Sequence, residues 1–272
     1  MFDGQVVIIT GGSSGLGKAL ANRLSAQGAH LALIARDEAK LAAVKGELEA
    51  ANPHRKVRTY SCDVADFAAT ETTMAAIAGD LGLPQLLINS AGILREGRFE
   101  QVPLQVFQEV VGINYFGTLH CIKAALPYFQ QQGHGWIVNI SSMGGRFGAF
   151  GYSAYCSSKY AVLGLSDSLR CELKPRGIRL QVVCPPEFDS PMVDELNKYR
   201  TPENRRVVHT MPVLDAERVA DAVMRGLEKK KYLIIPDPMT RMLDLSNRLL
   251  PAASRMLTDT QIKIAHLVAR KR

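Results

Sequence analysis

The stretch 10–19 reads TGGSSGLGKA, and its glycines allow two interpretations. One is a P-loop with the spacing G-x-x-x-x-G-K, which implies a nucleoside triphosphate and Mg²⁺. The other is a dinucleotide-binding turn between a strand and a helix, built on Gly11, Gly15 and Gly17. A P-loop continues with a Ser or Thr that ligates Mg²⁺, whereas Ala19 stands at that position here. The sequence therefore favours the dinucleotide turn.

Around this turn, short apolar runs rich in β-branched residues alternate with helical segments. The predicted strands are 5–10, 30–35, 56–63, 85–92, 135–142, 179–186 and 231–237. The predicted helices between them are 15–27, 37–52, 66–81, 104–132, 153–174 and 215–230. Strict alternation predicts an α/β fold, a Rossmann-type doubly wound parallel sheet with helices on both faces. We expect residues 1–238 to form a single domain and 239–272 a C-terminal helical extension.

The end of the second predicted strand is where such folds distinguish NAD from NADP. An acid there bonds the ribose 2′-hydroxyl of NAD, whereas a nearby Arg accommodates a 2′-phosphate. Ala35 takes the acid's position and Arg36 follows it, so the sequence favours NADP(H). The alternative is that Arg36 is a solvated loop residue beside Asp37, which caps the next helix.

Tyr155 and Lys159 of YCSSK lie on one face of a predicted helix. Because an ammonium stabilises a phenolate, we expect Lys159 to lower the pKa of Tyr155. A Tyr tuned in this way can protonate the alkoxide that forms when hydride reaches a carbonyl carbon. Ser142 ends the fifth strand, at the sheet edge where such folds bind ligands. We expect its hydroxyl to hold the substrate oxygen, with capping of the following turn as the alternative.

The motifs, in their order and spacing, resemble those of short-chain dehydrogenases/reductases over nearly all of 3–238. The matching stretches are TGGSSGLG, CDVAD, NSAG, GINYFG, GWIVNISS and YCSSK. The resemblance implies a catalytic set, namely Asn114, Ser142, Tyr155 and Lys159. Tyr155 would be the acid–base residue, and Lys159 would bind the nicotinamide ribose and tune Tyr155. Asn114 would interrupt its helix and hold a water in the proton relay.

The same resemblance implies a set of contacts to NADP(H). They are Gly11, Ser13, Ser14, Gly15, Gly17, Arg36, Asp63, Val64, Asn89, Ala91, Gly92, Tyr155, Lys159, Pro185 and Ser190. Asp63 would contact adenine, Asn89 would support the central strand and the cofactor, and Ser190 would bond the nicotinamide carboxamide. Two departures from the family pattern are Ser90, where a second Asn is usual, and Pro186, where Gly is usual.

Within that family, the Pro-Pro pair, TPENRR (201–206) and the C-terminal extension look most similar to 3-ketodihydrosphingosine reductases. The resemblance implies NADPH-dependent reduction of the ketone of a long-chain, lipid-like substrate, 3-ketodihydrosphingosine, to the alcohol. A steroid, a retinoid or a 3-oxoacyl compound is the alternative substrate. A non-catalytic NADP(H)-binding sensor is the alternative from another class, but the intact Ser, Tyr and Lys set argues against it.

Residues 187–212 are long for a connection in this fold, so we expect a lid over an apolar substrate tail. Its apolar residues are Met192, Val193, Leu196, Tyr199, Val207, Val208 and Met211. Three aromatic residues before the catalytic Tyr are expected to line the same pocket: Phe147, Phe150 and Tyr152. The alternative is a loop that packs its own side chains on the domain.

The net charge of +7 is unevenly placed, because residues 239–272 hold seven basic and two acidic residues and thus +5 of it. A basic tail without a basic stripe on the main fold predicts no nucleic-acid partner. Apolar residues at helical spacing in the tail, with Arg and Lys between them, fit peripheral contact with an anionic membrane. The alternative is that the tail docks on the domain or on a sister subunit.

Five cysteines, an odd number without a C-x-x-C pair, indicate scattered core thiols rather than disulfides or a metal site. They are Cys62, Cys121, Cys156, Cys171 and Cys184. We expect no metal, no signal peptide, and a cytoplasmic protein that forms a homo-oligomer.

Overall fold

The structure is a computed structural model that describes residues 1–269, built around one sheet. Its strands are β1 (Val6–Thr10), β2 (His30–Ala35), β3 (Val57–Ser61), β4 (Pro84–Asn89), β5 (Gly135–Ile140), β6 (Ile178–Val183) and β7 (Leu233–Ile234). They lie in the order β3-β2-β1-β4-β5-β6-β7, and all neighbouring pairs are parallel. The predicted doubly wound parallel sheet is confirmed.

Helices cover both faces of this sheet. They are α1 (Gly15–Ala26), α2 (Glu38–Ala51), α3 (Phe67–Leu81), α4 (Leu104–Val111), α5 (Gly117–Gln132), α6 (Ser153–Leu173), α7 (Pro191–Asn197), α8 (Pro202–Val208), α9 (Ala216–Glu228), α10 (Pro238–Leu249) and α11 (Pro251–Ala269). Alternate side chains of β1 serve different cores. Val7 and Ile9 pack with α1, α2 and α9, whereas Val6 and Ile8 pack with α3 and α5. Both faces of the strand are therefore buried, as its continuous apolar run predicts.

Two segments end or break where the local chemistry changes. The fourth strand ends at Asn89 and not at residue 92, because the backbone N–H groups of Ser90 and Ala91 turn to the hydroxyl of Thr10 at 3.1 Å. The helix predicted over 104–132 is two α-helices joined by a π-helical turn at Gly112–Phe116. This turn contains Asn114, the residue at which the family resemblance implies an interruption.

Residues 187–212 form two short helices, α7 and α8, over the carboxyl edge of the sheet. Buried polar contacts fasten this segment to the body. The hydroxyl of Thr201 donates to Glu96 at 2.7 Å, the amide of Asn204 donates to the Phe150 carbonyl at 2.6 Å, and the Arg200 guanidinium donates to the Tyr152 hydroxyl at 3.2 Å. The segment is thus an ordered layer that is held by side chains from the strand-end loops.

The C-terminal extension docks on the domain, with α11 packed against the lid helix α8. At the start of α10, Asp237 accepts a hydrogen bond from the Thr240 backbone N–H at 2.9 Å. One turn later, Asp244 forms two hydrogen bonds with Arg146, at 2.8 and 2.9 Å. Docking on the domain was the alternative considered for the extension, and polar side chains of α10 contribute to it. Thr240 and Asp244 face the protein, whereas Met242, for example, is 63% exposed.

The prediction for the cysteines is confirmed for four of them and wrong for Cys171, which is exposed on α6. Within residues 1–269, no helix combines the length and the apolar character that crossing a membrane requires.

Candidate active site

The carboxyl ends of β1, β4, β5 and β6 meet at one edge of the sheet, and the predicted catalytic residues gather there. Ser142 follows β5 and caps a 3₁₀ turn, accepting a hydrogen bond from the Gly144 backbone N–H at 3.0 Å. Its hydroxyl also bonds the phenol of Tyr155, which lies in the first turn of α6. The hydroxyl therefore caps the turn, which was the alternative role, and lies beside the phenol, whereas its contact with a substrate oxygen stays a prediction.

Burial raises the pKa of Tyr155 to about 12, and the hydrogen bond with Ser142 opposes that rise. The net shift is therefore upward because burial dominates it, and the lowering expected from Lys159 stays a prediction. Burial disfavours the phenolate, and the carboxylate of Glu187 adds to the same direction. A phenol with this pKa keeps its proton near neutral pH, so Tyr155 is equipped to donate a proton to an alkoxide.

Lys159 lies one helical turn after Tyr155 and is almost fully buried. Its Nζ donates to the Ile140 carbonyl at 2.9 Å and lies 5.7 Å from the centre of the Tyr155 ring. Burial lowers the pKa of Lys159 to about 8. The ammonium is thus held between the end of β5 and the phenol, with donors left for a ligand in the crevice.

Asn114 is buried in the π-helical turn, and its side chain is fully engaged by protein groups. Its Oδ1 accepts from the Ile93 backbone N–H at 2.8 Å, and its Nδ2 donates to the Ile93 carbonyl at 3.0 Å and to Ser158 at 2.9 Å. These contacts tie the loop after β4 to the helix that carries Tyr155. The relay-water role implied by the resemblance stays a prediction.

The glycine turn after β1 has the shape that a pyrophosphate requires. Gly11 has φ +68°, and a Cβ there would lie 2.9 Å from the Ala91 nitrogen. A Cβ on Gly17 would overlap the carbonyl oxygen of Gly11. The side chain of Ser14, which precedes α1, makes no capping hydrogen bond. The first N–H groups of α1 therefore stay free for a phosphate.

The adenosine end of the crevice is lined by most of the predicted contacts: Gly11, Ser13, Ser14, Arg36, Asp63, Val64, Ala91 and Gly92. The guanidinium of Arg36 lies 3.9 Å from the carboxylate of Asp63, and both are largely exposed. Asp37 caps α2 through the Lys40 backbone N–H at 3.0 Å, which lowers its pKa. Lys40 also lines this end and is a cation that the sequence reasoning missed.

Lys18, the residue that made a P-loop conceivable, points away from the crevice and pairs with Glu47 at 2.7 Å. Asn89, predicted to support both the central strand and the cofactor, donates to Asn139 at 2.8 Å inside the sheet. It supports the strand, but it lines neither end of the crevice.

A second cavity extends from the glycine turn, past Ser142 and Tyr155, to the lid. Of the residues predicted to line it, the following do: Phe147, Tyr152, Met192, Val193, Val208 and Met211. Two predicted cofactor contacts, Pro185 and Ser190, line the same cavity. The remaining four predicted lining residues, Phe150, Leu196, Tyr199 and Val207, do not. Leu196 packs inward with Leu94, and the Phe150 ring lies under Arg98. The cavity is thus mainly apolar and lies next to the catalytic hydroxyls.

Several residues that shape the site were missed by sequence reasoning. Thr10 holds the loop after β4, and the hydroxyl of Ser141 donates to the Lys159 carbonyl at 2.9 Å. Both stand at the carboxyl ends of predicted strands, which is a signal that could have found them. Glu187 and Arg200 are different, because their pairing across the lid has no local pattern.

Residues 5–201 match the family model described as short chain dehydrogenase. The 3-dehydrosphinganine reductase of Danio rerio is 37% identical over 226 residues, which are 82% of this chain and 68% of that protein.

Two solved structures of similar chains contain nicotinamide cofactors. A short-chain dehydrogenase/reductase from Burkholderia phymatum in complex with NAD has a TM-score of 0.82 at 25% identity, covering 91% of this chain and 94% of that one. A short-chain dehydrogenase from Sphingobium yanoikuyae in complex with NADPH has a TM-score of 0.77 at 28% identity, covering 92% and 95%. The chain therefore belongs to the short-chain dehydrogenase/reductase family and is an oxidoreductase acting on C=O and CH–OH groups.

Proposed function

We propose that this protein reduces the ketone of a long-chain lipid with NADPH, converting 3-ketodihydrosphingosine to dihydrosphingosine. The observation that carries the proposal is the apolar cavity that begins at Ser142 and Tyr155 and continues beneath the lid helices. A long alkyl chain would bury its surface there at about 25 cal/mol for each Å². The likeness to a 3-dehydrosphinganine reductase supports the same substrate class.

Proton transfer in this proposal belongs to Tyr155. NADPH, when bound, supplies the hydride. The Ser142 hydroxyl holds the substrate oxygen beside the phenol, so the charge that develops on that oxygen meets two donors. Tyr155 then transfers its proton to the alkoxide. Lys159 stabilises the resulting phenolate through its nearby ammonium and binds ribose hydroxyls with its free donors.

The choice of NADP(H) over NAD(H) rests on the adenosine end of the crevice. Arg36 and Lys40 supply two cations, which favour a 2′-phosphate. The nearby acid that could bond a ribose 2′-hydroxyl, Asp37, is engaged in capping α2. The remaining predicted contacts, from Gly11 to Ser190, would hold the pyrophosphate and the nicotinamide along the same edge.

Membrane contact through the extension is part of the proposal. Exposed apolar side chains cover the outer surface of α10 and α11: Met239, Met242, Leu245, Leu249, Leu250, Met256, Leu257, Ile264 and Leu267. Exposed cations lie between them: Arg241, Arg248, Arg255 and Lys263. Three more, Arg225, Lys229 and Lys231, line a cleft beside α10. An apolar face bordered by cations suits the surface of an anionic membrane. The sequence also predicts a contribution from the basic residues 270–272 and from Val268, whose side chains are not among those that the structure describes.

The enzymatic part is tested by NADPH oxidation with purified protein and a panel of ketones. We expect turnover with 3-ketodihydrosphingosine in mixed micelles and little with a steroid ketone, a retinoid aldehyde or a 3-oxoacyl thioester. Chromatography of the lipid product should show dihydrosphingosine, and Tyr155→Phe is the matched inactive control. Turnover of a steroid or 3-oxoacyl substrate alone would overturn the substrate assignment. No turnover with any carbonyl compound would favour a cofactor sensor.

The membrane part is tested by co-sedimentation with vesicles of phosphatidylcholine, with and without phosphatidylserine. We expect binding to the anionic vesicles at low salt and release at high salt, because salt screens surface charge. Arg248→Glu with Lys263→Glu should abolish binding, whereas Lys123→Glu with Lys174→Glu, the same charge change on the body, should not. The extension is a subunit interface if the protein does not bind anionic vesicles and light scattering shows that Arg248→Glu with Lys263→Glu dissociates an oligomer. The homo-oligomer itself stays a prediction.

A further inference from the structure

One acidic residue, Glu187, lines the mainly apolar cavity, together with Ser142, Tyr155 and Lys159. Among the described residues that line it, Glu187 is the only acid. It lies in the loop between β6 and α7, and only 8% of its side chain is exposed. A nearly buried carboxylate beside catalytic hydroxyls requires a physical explanation, because desolvating a charge is costly.

Arg200 holds this carboxylate in place from behind. Its guanidinium is fully buried and reaches both oxygens of Glu187, with 2.9 Å between Nη1 and Oε1. The same guanidinium donates to the Tyr152 hydroxyl at 3.2 Å, and His209 Nε2 lies 3.6 Å from Oε1. Arg200 does not line the cavity, whereas Glu187 does. The pair therefore presents its negative end to the substrate space.

Stability alone does not account for this pair. Replacing a buried ion pair with apolar side chains of similar volume is often neutral or stabilising. The carboxylate also raises the pKa of Tyr155, which opposes the phenolate that forms when Tyr155 gives up its proton. A cation on the substrate, next to the reacting carbon, would offset this effect.

We infer that Glu187 binds the ammonium group of a 2-amino-3-ketone substrate, with Arg200 as the positioning residue that orients the carboxylate. The inference rests on the proposed function, whose substrate carries an amine on the carbon next to the ketone. A carboxylate has about four acceptor sites, and a bidentate Arg uses two of them, which leaves one on each oxygen. An amine on that carbon would lie close to the carbonyl oxygen held by Ser142 and Tyr155, in the cavity that Glu187 also lines.

The test compares three ketones of equal chain length in the wild-type protein: the 2-amino-3-ketone, the same ketone without the amine, and its N-acetyl derivative. We expect kcat/KM to favour the amine by about 10- to 100-fold, the range of a charge-assisted hydrogen bond. The difference should lie mainly in KM, because the ammonium is present before and during the reaction.

Variants then assign the preference to Glu187. Glu187→Gln leaves the Arg200 charge unpaired, so the double variant Glu187→Gln with Arg200→Gln is measured beside it. The matched control is Glu203→Gln, which removes another buried lid carboxylate, one that pairs with Arg98 and does not line the cavity. We expect both Glu187 variants to reduce the three ketones with similar KM values, whereas Glu203→Gln keeps the preference. Melting curves establish which variants fold.

A preference that survives in a folded Glu187 variant would overturn the inference. Equal kcat/KM for the three ketones in the wild-type protein would overturn it too, while leaving the long-chain reductase proposal intact. If the wild-type protein reduces none of them, the proposed function fails, and the inference fails with it. If neither Glu187 variant folds, the wild-type series decides alone, since it needs no substitution.

Discussion

Asp244→Asn should lower the thermal stability of the whole protein, because Asp244 joins the C-terminal extension to the loop that follows Ser142. The carboxylate forms two hydrogen bonds with Arg146, and the two side chains are only 8% and 14% exposed. Arg146 directly follows the 3₁₀ turn that Ser142 caps. Removing the negative charge of Asp244 leaves the Arg146 guanidinium with little access to water and without its carboxylate partner.

The size of the effect follows from this burial. Breaking a buried pair by removing one partner costs about 3–5 kcal/mol. Arg146 keeps some exposure, so we expect a smaller loss, about 2–3 kcal/mol. For a protein of this size each kcal/mol lowers Tm by about 2–4 °C, which gives a shift of roughly 5–10 °C. Because the turn at Ser142 is loosened as well, kcat should fall even below the transition.

Thermal unfolding followed by circular dichroism measures the loss. The control is Glu195→Gln, which breaks an exposed pair with Lys198 and should shift Tm by no more than about 1–2 °C. The double variant Arg146→Met with Asp244→Leu should recover most of the stability, because no unpaired charge remains. An Asp244→Asn protein as stable as Glu195→Gln would refute the reasoning, since the pair would then contribute no more than a surface contact.

Three further predictions concern the site. Arg36→Ala should raise the KM for NADPH about 5- to 10-fold and leave the KM for NADH unchanged, because a largely exposed ion pair contributes about 1 kcal/mol. Initial rates with both cofactors test this, and an equal rise in both KM values would contradict it. Tyr155→Phe should keep NADPH binding, measured by fluorescence titration, and lower kcat by about 10²–10⁴-fold, since it loses only the proton donor. The kcat/KM for ketone reduction should decline as pH rises through about 8, the pKa of Lys159, because the Lys159 ammonium is then lost while Tyr155 stays protonated. A kcat/KM that stays constant up to pH 10 would exclude this role for Lys159.

The sequence predicts the frame of the fold well because its signals are local. A glycine turn, apolar strands that are buried on both faces and a Tyr–Lys pair one helical turn apart each act within a few residues. Their positions on a parallel sheet then follow from the rule that ligands bind at the carboxyl ends of the strands. This rule predicts that Ser142 and Tyr155 lie at the same edge of the sheet.

The parts that could not be predicted depend on contacts between distant segments or on burial. The partners Arg146 and Asp244 are separated by 98 positions, and neither belongs to a recognisable motif. The pKa of Tyr155 depends on how deeply the phenol is buried, and the spacing to Lys159 does not encode that depth. For α10, helical spacing predicts that an apolar face exists. It does not predict that this face points outward while Thr240 and Asp244 point inward.

The boundary drawn at residue 238 is therefore a feature of the sequence pattern more than of the architecture. Strand–helix alternation stops there, but packing continues. Leu243 of α10 belongs to the same apolar cluster as Met211 and Phe147, which line the apolar cavity beside Tyr155. The helix α11 packs on α8, whose Val208 lines it too. The extension thus supports the cavity wall from outside while its own outer surface stays apolar. A partner that covers this outer surface would therefore contact helices that pack on residues of the cavity wall. For this reason the extension is structurally part of the active-site region.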